Sequence, residues 1–340
     1  MKSPFAPSGA ASDLLRQLGI LSLDEVRPLP GGRNNQVWRV NCGSQSFLLK
    51  RYFWSEQDPR DRLGQEWAFL CYLWDNDCRQ GPKPLVKDPT IRCALLEFIE
   101  GVPLEVADID AQDIHAATNF FLQLNARRNE AVSLPPVSEA CFSIDAHLAT
   151  TAARVERLGG IIPDTETHTA VQVFVSRTIL PLWRAVSDLI QCRAGTNLMQ
   201  LLPLKERGLS PSDFGFHNAL RQFDGSLRFL DFEYAGWDDP AKTIIDFCNQ
   251  PDRLLPDHLA RIFYDRTLAV LPAAESLQKR IAILEPLYQL KWSCICLNGF
   301  LPGRTFSDPR PDRSPAAQLA RSRTMADRAT ESLDALLNKG

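Results

Sequence analysis

The stretch from Ser210 to Glu233 constrains the fold and chemistry of this chain more than any other segment. It holds Asp213, then Asn218 five residues later, and then Asp231 directly after a short apolar run. Asp213 can orient and deprotonate a hydroxyl group, while Asn218 and Asp231 can hold Mg²⁺ against the phosphates of ATP. The spacing and the residue types therefore predict phosphoryl transfer.

The apolar run from Leu227 to Leu230 is typical of a buried strand, and it would bring Asp231 to the same place as the loop. Asp224-Gly225 before it is a turn signal, so we predict a hairpin here. Asp and Asn are also common in ordinary turns, and either motif alone is weak. Both motifs in order, with a strand between them, favour the phosphoryl-transfer interpretation.

This segment resembles the aminoglycoside phosphotransferase and choline kinase superfamily. Members carry His-Gly-Asp-x-x-x-x-Asn, then Ile-Asp-x-Glu, then Gly-Asp-Pro. Asp213 and Asn218 match the first motif, residues 230–233 match the second, and residues 235–241 match the third with one residue displaced. The resemblance covers most of the chain and is most specific between Asp213 and Pro240.

Two positions depart from the family pattern. Pro211 occupies the place of the family His, which normally supports the loop, and Thr243 stands where a further Asp often follows. These departures motivate an alternative function, that of a nucleotide-binding pseudokinase with a regulatory or scaffolding role. The retained Asp213 argues for an enzyme, because a protein that only binds nucleotide has no chemical need for a base.

The resemblance also implies a nucleotide site near the N-terminus. Gly31 and Gly32 lie between two predicted strands, in a turn whose amides can face phosphates, and Asn35 matches the family pattern that follows. Lys50, on the third strand, is expected to contact the phosphates and to pair with Glu66 on the next helix. We therefore expect ATP and Mg²⁺ as cofactors.

The implied fold is α+β and two-lobed like the protein kinases. A small N-terminal lobe, residues 1–101, would be an antiparallel sheet that binds nucleotide, and a larger, mainly helical lobe, residues 102–340, would hold the catalytic and acceptor-binding groups. Apolar residues recur at helical spacing at 110–125, 144–158, 167–194, 258–270, 274–297 and 314–337. Pro181 is expected to interrupt the third of these helices.

Four residues are candidates for acceptor binding, namely Glu233, Trp237, Asp238 and Lys291. Lys291 stands on an otherwise apolar helix, where burial is costly without an acidic partner. Glu233, Asp238 or an acidic substrate could be that partner, and the alternative is that Lys291 reaches the surface.

The acceptor is expected to be a small molecule with a hydroxyl group, which is sugar-like, an amino alcohol or aminoglycoside-like. A choline-like cation needs an aromatic or acidic cage, and Tyr288, Trp292 and Trp237 could supply one. Polycationic aminoglycosides need an acidic pocket, and no clear acidic cluster is evident. We therefore favour a sugar-like acceptor.

Composition narrows the class of protein further. The net charge is −3 with no basic stripe, which argues against a nucleic-acid partner. No apolar run is long enough to span a bilayer, and the N-terminus lacks the pattern of a secretion signal. The nine scattered Cys residues favour unpaired thiols in a reducing cytoplasm, where ATP is available. The oligomeric state stays open.

Overall fold

The structure is a computed structural model, and it describes residues 5–30, 35–304, 306 and 310–338. The chain divides into two compact units: unit 1 is Met1–Ser138 with Leu209–Trp237, and unit 2 is Glu139–Gly208 with Asp238–Gly340. The lobe boundary at residue 101 stays a prediction. Unit 1 extends past it, to Ser138, and also includes the later segment Leu209–Trp237.

The helices and strands of the N-terminal part and of the motif segment are short. They are α1 (Pro7–Gln17), β1 (Glu25–Pro28), β2 (Gln36–Cys42), β3 (Gln45–Arg51), α2 (Arg62–Asp75), β4 (Pro84–Asp88), β5 (Cys93–Glu97), β6 (Val102–Pro103), α3 (Ala111–Ala126), β7 (Gly208–Ser210), β8 (Ala219–Arg221), β9 (Leu227–Phe229) and β10 (Gly236–Asp238). Strands β1 to β5 form an antiparallel sheet in the order β1-β2-β3-β5-β4. Strands β6, β8 and β9 form a second, three-stranded sheet.

One face of the five-stranded sheet packs on α1. Alternate residues of β2 and β3 are buried, and Leu14 and Leu15 of α1 join Val40, Leu49 and Leu95 in one core cluster. Because successive side chains of a strand point to opposite faces, Lys50 points away from this cluster. The sheet thereby separates the α1 core from the side on which α2 meets Lys50.

An aromatic cluster supports the motif segment inside unit 1. Phe120 of α3 stacks on Phe229 at 4.8 Å between ring centroids, and it lies 5.6 Å from Phe214, the residue after Asp213. Phe69 of α2 lies 5.2 Å from Phe232, which follows Asp231. The predicted β8–β9 hairpin is confirmed, and its turn uses Gly225 at φ 84°. The rings fix both halves of the motif to one core.

Unit 2 contributes all the remaining helices of the described residues. They are α4 (Ile144–Leu158), α5 (Glu166–Phe174), α6 (Leu180–Ala194), α7 (Pro240–Cys248), α8 (Asp257–Leu268), α9 (Ala274–Cys296) and α10 (Pro315–Leu337). Helix α9 packs against α4, α6, α7 and α10, so it forms the centre of the unit. No helix of the described part combines the length and the apolar composition needed to cross a membrane.

The predicted interruption at Pro181 takes the form of a change in helix type. Helix α5 ends at Phe174, a π-helical turn covers Val175–Ile179, and α6 begins at Leu180 with Pro181 in its first turn. Proline has no N–H to donate, and the start of a helix is where that donor is not needed. The wider turn lets the chain restart as α6 without a break.

Candidate active site

Lys50 lies at the centre of a group of charged side chains in unit 1. Its Nζ is 2.7 Å from Oε2 of Glu66 and 2.6 Å from Oδ1 of Asp231. The side chains of Lys50 and Glu66 are almost fully buried, whereas that of Asp231 is 40% exposed. The structure therefore brings together three of the residues singled out in the sequence, from β3, α2 and the end of β9.

The start of α2 explains how Glu66 reaches this position. Asp61 caps the helix by accepting a hydrogen bond from the Gly64 N–H at 2.9 Å. Leu63, Glu66 and Leu70 then fall on one buried face, because residues three and four apart lie on the same side of a helix. The carboxylate is therefore held beneath the sheet, where Lys50 points.

Glu66 also fixes the backbone beside Asp231. Its Oε1 accepts a hydrogen bond from the Phe232 N–H at 3.0 Å, while its other oxygen pairs with Lys50. Burial lowers the pKa of Lys50, but the charges of Asp231 and Glu66 outweigh burial and hold that pKa above its usual value. The ammonium group thus stays charged at neutral pH.

The loop 211–218 places the Asp213 side chain at the surface of unit 1. Two other residues of this loop contact Asp213. Asn218 Nδ2 donates to the Asp213 backbone carbonyl at 2.9 Å and lies 3.3 Å from its Oδ2. His217 Nε2 lies 3.1 Å from Oδ1, and the Asp213 side chain is 45% exposed. A half-exposed carboxylate that is oriented in this way can accept a proton from a hydroxyl group.

Two residues of the site have left-handed backbone conformations without being glycine. Ser212, directly before Asp213, has φ 71°, and Asp231 has φ 64°. Such conformations cost free energy and persist where the surroundings enforce them, which is common at functional sites. Ser212 turns the chain directly before the residue that carries the Asp213 carboxylate, and Asp231 turns it at its own carboxylate.

Asn218 and Asp231 have the chemistry required of magnesium ligands. The Leu230 N–H donates to the Asn218 carbonyl at 2.8 Å. Asn218 and Asp231, the residue after Leu230, therefore lie on neighbouring backbone segments. The Asn218 amide uses its nitrogen on Asp213, which directs its oxygen elsewhere. Within the described residues no group of three His, Cys, Asp or Glu could hold a metal by itself. A site of one Asp and one Asn fits Mg²⁺, which is usually completed by phosphate and water oxygens.

The other predicted nucleotide-binding residues lie beside this group or outside the description. Asn35 is buried, donates a short hydrogen bond to Glu233, and accepts one from the Phe53 N–H at 3.1 Å. Gly31 and Gly32 fall outside the described residues, so their phosphate-binding role stays a prediction. Asn35 thus connects the end of the predicted phosphate turn to the residue two positions after Asp231.

Two of the candidate acceptor residues in unit 1 already have protein partners. Glu233 is buried beside Asn35, and burial together with the Asp231 charge raises its pKa. Trp237 is partly buried and donates from Nε1 to the Ala131 carbonyl at 3.1 Å. Their role in acceptor binding therefore stays a prediction.

Lys291 in unit 2 has a partner that the sequence did not indicate. Its Nζ is 2.7 Å from both carboxylate oxygens of Asp246, and its side chain is 6% exposed. The prediction of Glu233 or Asp238 as partner is therefore wrong, and so is the alternative that Lys291 reaches the surface. Asp246 lies one helical turn after Thr243 on α7, so the acid absent at 243 has a counterpart three residues later.

Asp238 and its neighbours form a second buried polar group in unit 2. Asp238 pairs with Lys242 at 2.7 Å and accepts the Cys141 N–H at 2.9 Å. Asp239 caps α7, pairs with Arg280 at 2.7 Å, and lies 3.3 Å from His147 Nε2. Only the Asp238-Asp239-Pro240 motif pointed to this group. Its basic members lie far apart in the sequence and gave no signal.

His147 predicts a pH dependence of stability. It is buried, with Nδ1 2.5 Å from the Tyr288 hydroxyl. Burial lowers its pKa, but Asp239 and Cys141 raise it to about 9. Because the pKa of His147 in the folded protein lies above its unfolded value near 6.5, protonated His147 stabilises the fold. This stabilisation is fully present below pH 6.5 and is lost as the pH rises through about 9.

We therefore expect the free energy of unfolding to fall by up to about 3 kcal/mol between pH 6.5 and pH 9.5. Urea unfolding across this range would measure it. His147→Gln should remove most of the slope, because Gln has no charge to lose. A wild-type protein whose stability is constant or rises over this range would contradict the assignment.

Comparisons with known proteins agree on the fold. No family model matches the chain, and no curated protein matches it by sequence. Among solved structures it is similar to a choline kinase from Cryptosporidium parvum Iowa II, with 13% identity, TM-score 0.61, and 98% of this chain and 96% of that chain covered. It is also similar to a choline kinase from Streptococcus pneumoniae, with 16% identity, TM-score 0.62, and 96% and 98% covered.

A third similar structure is a spectinomycin phosphotransferase in complex with ADP and spectinomycin. The identity is 11%, the TM-score is 0.64, and the match covers 97% of this chain and 99% of the other. At such identities the likeness establishes the fold and leaves the substrate undetermined. The α+β architecture expected from the sequence is confirmed, and the chain has the kinase-like fold shared by choline kinases and aminoglycoside phosphotransferases.

Proposed function

We propose that this protein is an ATP- and Mg²⁺-dependent phosphotransferase that moves the γ-phosphate to a hydroxyl group of a small molecule. The observation that supports this most is the Lys50 ammonium between Glu66 and Asp231. In kinases a strand lysine held by a helix glutamate contacts the phosphates, and an aspartate binds the metal. We expect the reaction to take place in the cytoplasm, without a nucleic-acid partner.

Each residue of the group has a distinct role in this proposal. Lys50 holds the phosphates through its charge, and Glu66 fixes the position of Lys50. Asn218 and Asp231 would hold Mg²⁺. A bound Mg²⁺ would neutralise the negative charge of the phosphates. Asp213 orients the acceptor hydroxyl and accepts its proton as the oxygen attacks phosphorus.

Contacts in unit 2 favour a sugar-like acceptor over a choline-like one. The Lys291 Nζ lies 4.1 Å from the ring centroid of Tyr288 and 5.3 Å from that of Trp292. A cation above these rings already makes the interaction that a quaternary ammonium group would need. Asp238 and Asp246 each pair with a lysine, which leaves these two acids neutralised and less suited to a polycation.

The test is acceptor-stimulated release of ADP by the purified protein with Mg²⁺, against a panel of sugars, amino alcohols and aminoglycosides. We expect stimulation by a neutral sugar-like compound. Stimulation only by amino alcohols or aminoglycosides would contradict the acceptor assignment but retain the reaction. Tight binding of ATP with no stimulated turnover would favour a pseudokinase, the alternative suggested by Pro211.

A further inference from the structure

His217 contacts the predicted base from within the same loop. Its Nε2 lies 3.1 Å from Oδ1 of Asp213. A carboxylate oxygen can only accept a hydrogen bond, so a hydrogen bond at this contact requires a proton on Nε2. Asn218 Nδ2 approaches the other oxygen at 3.3 Å. Both oxygens of the carboxylate are therefore contacted from the C-terminal end of the loop.

His217 is less exposed to solvent than the carboxylate it contacts. Its side chain is 14% exposed, compared with 45% for Asp213. Phe216, beside it in the short 3-10 turn Phe216–Asn218, is buried and anchors that turn in unit 1. The imidazole can therefore act as a fixed donor, while the carboxylate keeps a surface that a hydroxyl group can approach.

The N-terminal end of the loop is held through its backbone, because the Ser212 N–H donates to the Ser210 Oγ at 3.0 Å. Pro211 has no polar side chain and no N–H, and Ser212 adopts a left-handed conformation immediately before Asp213. The backbone turn alone does not fix the side-chain torsions of Asp213. His217 and Asn218, later in the loop, approach the two oxygens of that carboxylate.

We propose that His217 is a positioning residue, whose Nε2–H holds the Asp213 carboxylate in the orientation that meets the acceptor hydroxyl. Its effect on rate rests on the proposed function, whereas the hydrogen bond itself does not. A hydrogen bond to a charged group is stronger than one between neutral groups, and it fixes direction as well as distance. His217 acts through Asp213, without touching the phosphates.

Kinetics of three variants test this role. His217→Leu should lower kcat by roughly tenfold or more with little change in the KM for ATP, because the lost interaction is a charge-assisted hydrogen bond. His217→Gln keeps an N–H at a similar reach and should recover most of the rate. His258→Leu, on the exposed side of α8, is the matched control and should behave as wild type.

A double-variant cycle separates positioning from a general structural effect. In an Asp213→Asn background, His217→Leu should cause no further loss, because the group it orients is gone. Equal losses for Leu and Gln, a rise in the KM for ATP at unchanged kcat, or a full additional loss in the Asp213→Asn background would each overturn the proposal. Thermal melting of every variant checks that the fold is retained.

A measurement independent of turnover keeps the two proposals distinguishable. The chain has five His residues, so His217→Gln assigns the His217 signals in ¹⁵N NMR of the imidazoles. We expect a protonated Nε2 whose proton signal is lost or shifted in Asp213→Ala. An unprotonated Nε2, or a signal that is unaffected by Asp213→Ala, overturns the inference. If no acceptor stimulates the wild type, the proposed function fails, and the NMR result still decides the pairing.

Discussion

Asp213→Asn should lower acceptor-stimulated kcat by about 10²- to 10⁴-fold, the range typical of losing a general base. Asn has nearly the same shape, and its single amide oxygen can keep one of the two contacts with His217 and Asn218, but the amide cannot take a proton from a hydroxyl group. The KM for ATP and the melting temperature should change little, because the Asp213 side chain is half exposed.

The matched control is Asp75→Asn at the exposed end of α2, which makes the same chemical change at a surface position of unit 1. It should leave kcat within the error of the wild type. An Asp213→Asn enzyme that kept full activity would show that another group removes the proton or that none is needed. A loss of ATP binding in the same variant would instead assign Asp213 to nucleotide binding.

Lys50→Met should have the second large effect, on stability as well as on activity. It leaves Glu66 buried without a cation, and removing one partner of a buried ion pair typically costs about 3–5 kcal/mol of unfolding free energy. The contribution of Asp231 is smaller, because that carboxylate is 40% exposed and screened by water. Acceptor-stimulated turnover should fall to background, since the phosphates lose their lysine.

Combining Lys50→Met with Glu66→Gln separates the two effects. The Gln oxygen can still accept the Phe232 N–H, and the unpaired buried charge at position 66 is gone, so much of the lost stability should return. Activity should stay at background, because Lys50 is still absent. Urea unfolding and ADP release measure the two properties. Recovery of activity in the double variant would show that Lys50 serves the fold and has no part in the reaction.

The order of residues along the chain predicted the centre of the candidate site. Lys50 on the third strand, Glu66 on the following helix and Asp231 after a buried strand are separated by up to 181 residues, and they meet in unit 1. The fold class was predictable for the same reason, because strand alternation and helical periodicity are local signals. The two glycines before Asn35 remain a sequence-based prediction only.

Helix α7 and the partner of Lys291 were not predictable in this way. Helix α7 has only nine residues, which is too short for a clear periodic signal, and its polar residues are buried with the apolar ones, so the sequence indicated only the Asp-Pro at its start. Asp246 gave no signal, because the family pattern has its acid at position 243. Asp246 lies one helical turn later on the same face of α7, and its carboxylate pairs with Lys291 of α9.

The contact of His217 with Asp213 depends on a short 3-10 turn, which sequence periodicity does not reveal. In the sequence, His217 is distinguished only by its place beside Asn218. The two left-handed residues, Ser212 and Asp231, were equally hidden, since neither is a glycine. Local backbone geometry of this kind is enforced by the packed core around the loop. It therefore depends on the tertiary fold.

The most direct test of the account is to follow labelled γ-phosphate from ATP in the presence of Mg²⁺ and the acceptor that best stimulates ADP release. The account predicts that label appears on a hydroxyl group of the acceptor with the wild type, and that Asp213→Asn transfers almost none. Label that is released only as inorganic phosphate, or that stays in bound ATP with every acceptor, would contradict phosphoryl transfer as the function of this site.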